Sequence, residues 1–112
     1  MIYEIASLTV QNQHVESFKH AFAEVTPLLV RAPGYSGHFL AQGIESPQQF
    51  TLIVRWRSLA DHTPRFEASE DHGVFMMGIQ GYLSAEPTVY HIEGISAGER
   101  AEAEDWPEFH HD

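Results

Sequence analysis

The chain has 112 residues, 43% of them hydrophobic and 12% aromatic, which is the composition of one globular domain and not of a disordered segment. It has no cysteine, which excludes disulfides, thiolate catalysis and thiolate-bound metal. Its formal charge of −10, from 16 acids against 6 Lys and Arg, would repel phosphate, so nucleic acid and anionic membrane surfaces are not expected partners. Six of those acids (Glu99, Glu102, Glu104, Asp105, Glu108, Asp112) fall after residue 98 with one base, Arg100, so the body of the chain is only mildly acidic. No apolar run reaches the roughly 20 residues of a membrane span, and no basic stretch precedes the apolar N-terminus. The expected location is the cytoplasm.

Residues 1–10, rich in Ile, Tyr, Val and Thr, alternate loosely and predict a strand. From Val15 to Val30 the apolar positions Val15, Phe18, Phe22, Val25, Leu28 and Leu29 are three and four apart, the spacing of an amphipathic helix. Pro27 sits late in that run, and Ala32-Pro33-Gly34 ends it. Tyr35–Ile44 predicts a second strand and Glu45-Ser46-Pro47 a turn. Gln49–Trp56 is the clearest strand, with Phe50, Leu52, Val54 and Trp56 on one face and Thr51, Ile53, Arg55 and Arg57 on the other.

Ser58 is a candidate N-cap with Asp61 three positions on. Pro64 limits the helical piece that follows. A longer helix is expected from about Asp71 to Leu83, with Val74, Phe75, Ile79 and Tyr82 or Leu83 turned inward, and a last strand over Pro87–Ile95. The order is β-α-β-β-α-β, the ferredoxin-like α+β arrangement with a four-stranded antiparallel sheet. A sheet covered by helices on one face leaves the other bare, yet the strands carry apolar side chains on both. A second copy is the simplest cover, so a homodimer closing as a dimeric α/β barrel is expected. The domain is expected to occupy 1–95. The acidic tail 96–112 is expected to dock on the partner through Trp106, Pro107 and Phe109.

The stretch Trp56, Ser58, His62, Phe66, Ser69 reads W-x-S-x-x-x-H-x-x-x-F-x-x-S. With Pro33-Gly34-Tyr35 and Pro87-Thr88-Val89-Tyr90-His91 on its flanks, it resembles the antibiotic biosynthesis monooxygenase family over roughly residues 1–95. The resemblance implies a pocket between sheet and helices in each subunit. It also implies that no metal, flavin or haem cofactor is needed: an aromatic substrate is deprotonated and its own carbanion reacts with O₂. Relative to the oxygenases of that family acting on polycyclic phenols, the tryptophan is kept as Trp56. His62 stands in place of a tyrosine, Leu52 in place of an asparagine, and Met76 near the place of an arginine. The haem-degrading branch places an asparagine near Ala6 and a histidine near Gly78 or Ile79, neither of which is present.

Candidate catalytic residues are therefore His62, as proton acceptor or donor near neutrality, and Trp56. Tyr35, Leu52, Phe66, Phe75 and Met76 are candidate walls for a small aromatic or quinone-like ligand. Trp56 can equally be core, provided its indole N–H finds a partner. His62 can equally be a structural histidine beside a helix start. His62, Phe66 and Ser69 share a face if their segment is helical. His72 reads as a solvated helix-start residue. Tyr35 and His38 are expected on opposite strand faces, with His38 at the interface, and His91 is expected there too if the face carrying Tyr90 meets the helices. His110-His111-Asp112 is a poor metal site, and no metal is expected. No G-x-S-x-G motif supports hydrolysis. The readings left open are a cofactor-independent monooxygenase, a non-catalytic small-molecule-binding dimer, and a structural assembly protein. The observation that separates the first two is whether a cavity opens beside His62.

Overall fold

The computed structural model describes residues 1–98. The tail's expected docking through Trp106, Pro107 and Phe109, and His110-His111-Asp112, lie outside the described residues. The elements are β1 (Ile2–Thr9), α1 (Val15–Val30), β2 (Tyr35–Gln42), β3 (Gln49–Trp56), α2 (Glu70–Ile79) and β4 (Thr88–Glu93). Short turns of tighter or wider helix lie at Asn12–His14, Asp61–Phe66 and Gln80–Tyr82. The strands form one antiparallel sheet in the order β2-β3-β1-β4, the ferredoxin-like α+β fold the element order predicts.

Strand alternation decides which face the helices cover. Phe50, Leu52, Val54 and Trp56 of β3 are all buried, while the residues between them are half-buried. In β1, Glu4, Ala6 and Leu8 share that inward parity and are buried as well. Phe18, Phe22 and Leu29 of α1 and Phe75 and Ile79 of α2 close the core from the other side. At its centre the rings of Phe18 and Phe50 lie 4.8 Å apart.

The helices differ in detail from the periodic reading. α1 runs unbroken through Pro27 to Val30. α2 stops at Ile79 and continues only as the turn Gln80–Tyr82; Val74 points outward and is half exposed. Gly78 permits α1 and α2 to touch, since a Cβ there would stand 2.5 Å from Val25 Cγ1. Arg31 at the end of α1 clamps Asp71 at the start of α2 through two hydrogen bonds of 2.8 and 2.7 Å.

The segment joining β3 to α2 is not a regular helix. Pro64 disfavours helical backbone at the residue before it, and Thr63 lies at φ −129°, ψ 115°. His62 and Phe66 are nonetheless both buried, held by a wide turn. The Ser58 hydroxyl accepts from the Asp61 N–H at 3.3 Å and donates to its carboxylate at 3.0 Å. Ser69 caps α2, accepting from the His72 N–H at 3.1 Å.

Two expectations about strand faces are corrected. A bulge at Ser36-Gly37, with Gly37 at φ 147°, shifts the β2 register between Tyr35 and Gly37. Parity is reversed, so Tyr35 and His38 share the helix-facing side and hydrogen-bond each other at 2.6 Å. His38 is buried there against Phe22, not at an interface. In β4, His91 pairs with Glu4 and Val89 with Ala6, so His91 faces the helices while Tyr90 and Ile92 face the open side.

The α1–α2 contact gives a testable contrast. Gly73→Ala, with nothing within 4 Å of the new Cβ, should stabilise the protein by up to about 1 kcal/mol through helix propensity. Gly78→Ala should destabilise it by about 1–3 kcal/mol despite the same propensity gain, because Val25 must give way. Urea unfolding of the two variants checks this.

Candidate functional site

β1 places a carboxylate where its neighbours are apolar. Glu4 sits on the inward face between its cross-strand partners Val54 and His91, and only 8% of it is exposed. Such a group needs partners, because an unsatisfied buried carboxyl is costly. The indole Nε1–H of Trp56, at the end of β3, donates to Glu4 Oε1 at 3.1 Å. The His62 ring lies nearly parallel to the Trp56 indole, centroids 5.2 Å apart and planes inclined by 18°. That stacking brings His62 Nε2 within 3.2 Å of the same Oε1. The other ring nitrogen, Nδ1, lies 2.7 Å from His91 Nε2 on β4. Glu67 Oε2 stands farther off, 3.8 Å from His62 Nε2.

Burial dominates the electrostatics. It pushes the Glu4 carboxyl up to about 7, with the Trp56 hydrogen bond opposing and the Glu67 charge adding to the rise. It pushes the His62 imidazole down to about 4, with Glu67 opposing and His91 and His72 adding to the fall. Two groups whose ordinary values are well apart thus exchange order: near pH 7 His62 is neutral and Glu4 is half ionised.

A cavity of about 200 Å³ opens beside this pair. Glu4, His62, Glu67 and His72 form its polar end, and among the described residues no Lys or Arg lines it. Of the expected walls, Leu52, Phe66, Phe75 and Met76 line it. Trp56 does not; it stands behind, fully buried, holding Glu4 and carrying His62. Tyr35 does not line it either and is occupied with His38. His72, expected to be solvated, lines the cavity with its ring against the edge of Phe66 at 5.3 Å.

The residues that sequence reasoning missed are Glu4 and His91. The available signal was parity: Glu4 stands in step with Ala6 and Leu8, an acid on an apolar face. Glu4, His62 and His91 stand in a row, the first two in contact at 3.2 Å and the last two hydrogen-bonded, and do not converge on a point. Among the described residues no group of three His, Asp or Glu side chains could hold a metal ion. No helix there is long and apolar enough to cross a membrane.

The raised Glu4 carboxyl has a consequence for stability. Folded Glu4 keeps its proton between about 4.5 and 7 while the unfolded chain loses it, so this group lowers stability as pH rises through that window. Glu4→Gln keeps an acceptor for Trp56 and removes the titration. Its stability relative to the parent should rise by up to about 3 kcal/mol across the window, at roughly 1.4 kcal/mol per unit, and level off on either side. Denaturant titrations at a series of pH values measure the difference.

The profile of the family described as antibiotic biosynthesis monooxygenase matches residues 1–77. The uncharacterized protein YczJ of Bacillus subtilis is 27% identical over 95 residues, 85% of this chain and all of that protein. A candidate antibiotic biosynthesis monooxygenase of Bordetella bronchiseptica has the same fold with a TM-score of 0.81 and 33% identity, over 85% of this chain and 97% of that one. SnoaB of Streptomyces nogalater, a cofactor-independent oxygenase, is alike in fold, with a TM-score of 0.68 and 16% identity over 90% of this chain and 96% of that one. The profile spans more than half of the chain, and the Bordetella protein is one-third identical over nearly its whole length: this chain belongs to the antibiotic biosynthesis monooxygenase family.

Proposed function

We propose that the protein is a cofactor-independent monooxygenase acting on a small hydroxylated aromatic. The observation that carries this reading is the cavity beside the Glu4–His62 pair: apolar walls with acid–base groups gathered at one end. An apolar cavity of about 150 Å³ holds benzene, so about 200 Å³ suits one substituted ring or two fused rings. Among the described residues no Lys or Arg lines the cavity, which disfavours substrates that bring a carboxylate or phosphate.

Glu4 is the proton acceptor in this reading and His62 acts with it. Both nitrogens of His62 are engaged, one with Glu4 and one with His91. Glu4 Oε2 takes no hydrogen bond among the described residues, and no buried polar atom there lacks one, so Oε2 opens on the cavity. A phenolic O–H gives its proton to Oε2, and the electron-rich ring carbon bonds O₂. The peroxide takes the proton back; the carbon that bears it then gives up its hydrogen as a proton, the C–H electron pair becomes the new C=O bond, and the O–O bond breaks, so that the outer OH leaves with that proton as water and a quinone remains. One O₂ is consumed per substrate; one oxygen enters the product and the other leaves as water.

The family's SnoaB, a cofactor-independent oxygenase, supports the reaction class. A second copy of the chain covering the open sheet face would complete the barrel. Tyr90 and Ile92 there are 59% and 50% exposed, beside Tyr3, Ile5, Phe39 and Ile53.

Aerobic incubation with one- and two-ring phenols and hydroquinones, followed with an oxygen electrode, tests the activity. The rate should rise with pH through about 7 as Glu4 ionises, and Glu4→Gln should lose at least about 100-fold in kcat/KM. His62→Ala with unchanged uptake would remove the imidazole from the mechanism. Tight binding without any uptake would favour a non-catalytic binding protein. Ile92→Glu, at an exposed position, should halve the mass seen by sedimentation equilibrium if two copies pair through this face.

A further inference from the structure

We infer that His62 and His91 form a proton wire linking Glu4 to solvent at the β4 edge of the sheet, so that the buried carboxyl can exchange its proton while a ligand fills the cavity. The inference rests on the reading of Glu4 as the proton-exchanging group, but its geometry stands apart from any substrate.

The row is continuous. Glu4 Oε1 is 3.2 Å from His62 Nε2, and His62 Nδ1 is 2.7 Å from His91 Nε2. His62 has a neighbour at each ring nitrogen, a hydrogen bond to His91 at Nδ1 and a close contact with the Glu4 carboxyl at Nε2, and a relay requires both. The last atom is open: His91 Nδ1 makes no hydrogen bond among the described residues, and no buried polar atom there lacks one, so Nδ1 reaches solvent. Strand order explains why the row ends there. β4 is the edge strand, and the β1–β4 register sets His91 directly beside Glu4. Among the described residues, the other titratable groups facing the row are Glu67, 3.8 Å from His62 Nε2, and His72 across Phe66, and no Lys or Arg lines the cavity.

The donor arithmetic defines two states with neutral rings. With Glu4 ionised, Oε1 accepts from Trp56 Nε1–H and from His62 Nε2–H, and His62 Nδ1 accepts from His91 Nε2–H. With Glu4 protonated, its O–H donates to His62 Nε2, His62 Nδ1–H donates to His91 Nε2, and His91 carries its proton on Nδ1. The two states differ by one proton. Passing from the second to the first, the carboxyl proton moves to His62 Nε2, the His62 Nδ1 proton moves to His91 Nε2, and the His91 Nδ1 proton leaves to water. A small turn of the His62 ring aligns its Nε2 with Glu4 Oε1, and neither state needs a charged ring. A carboxyl that neither faces bulk water nor sees it past a bound aromatic ring thus recovers its basic form through the wall of the sheet.

Histidine-ring nitrogen NMR of the full chain, with the Glu4 carboxyl carbon followed in parallel, tests the wire. The wild-type His62 ring should switch from mostly Nδ1–H to mostly Nε2–H as pH rises, with the same midpoint as the Glu4 carboxyl, near 7. In Glu4→Gln the His62 tautomer should no longer change with pH. In His91→Phe the switch should be lost while the amide spectrum is kept; a variant that fails to fold leaves the wild-type result to decide. A His62 ring that keeps one tautomer on both sides of the Glu4 midpoint overturns the wire, as does a switch unaffected by His91→Phe. These measurements read no turnover: tautomer switching without O₂ uptake would overturn the oxygenase reading alone, and uptake without switching would overturn the wire alone.

Discussion

The site depends on the hydrogen bond between the Trp56 indole and the Glu4 carboxyl inside an otherwise apolar layer. Without a donor, a carboxyl at that depth would be left unsatisfied, a penalty of a few kcal/mol that a domain of this size could not easily carry. With a neutral donor and no cation, the carboxyl is tolerated but not locked in its charged form. An arginine in the place of Trp56 would hold it ionised, well below the physiological range. The indole, one N–H on a large apolar ring, leaves it free to titrate near neutrality. The same ring then offers its face to His62, whose position 5.2 Å above it is set by stacking. Core packing and chemistry are therefore not alternatives for Trp56, because it supports the site by being core.

Much of the fold was legible, and the reason is parity. β3 alternates without interruption, so its inward and outward faces could be named residue by residue, and the three- and four-residue spacing of α1 was equally clear. The errors fell where a local irregularity breaks the count. Tyr35 and His38 are an odd number of residues apart, and only the bulge at Gly37 brings them to one side. The inward face of β4 could not be read from its own residues, since Val89, Tyr90, His91 and Ile92 present no consistent contrast between odd and even positions. Its face is decided by pairing with β1, a contact more than eighty residues away in sequence. The site was half legible for the same reason. His62 stood out through the motif, whereas Glu4 and His91 become partners only once β1 and β4 lie side by side.

The two faces of the sheet carry different work. Helices cover one, with Gly78 letting α2 lie against α1, and leave a cavity between α2 and the inward residues of β1 and β4. The other face keeps isoleucine and tyrosine half exposed on three adjacent strands, which suits burial against a like surface. Because the site lies wholly on the helix side, its Glu4, His62 and His91 come from a single chain, and pairing through the open face need not rearrange them.

The departures from the phenol-oxidising relatives point the same way. Where the resemblance places a polar asparagine on β3, this chain has Leu52, an apolar wall of the cavity. Where it places a tyrosine, the chain has His62, which lines the cavity with one ring nitrogen 3.2 Å from Glu4 and the other hydrogen-bonded to His91. Polar capacity lost from the centre of β3 is thus regained from β1, at the end of the cavity. On the proposed reading the proton-handling group stands on β1, beside a tryptophan at the end of β3 that the motif keeps. A carboxylate also differs from an amide in what it can do. An asparagine side chain can only orient a phenol, whereas a glutamate held near neutrality can take its proton. On the proposed reading Leu52, His62 and Glu4 belong together, since Leu52 offers no proton acceptor and His62 is held between Glu4 and His91.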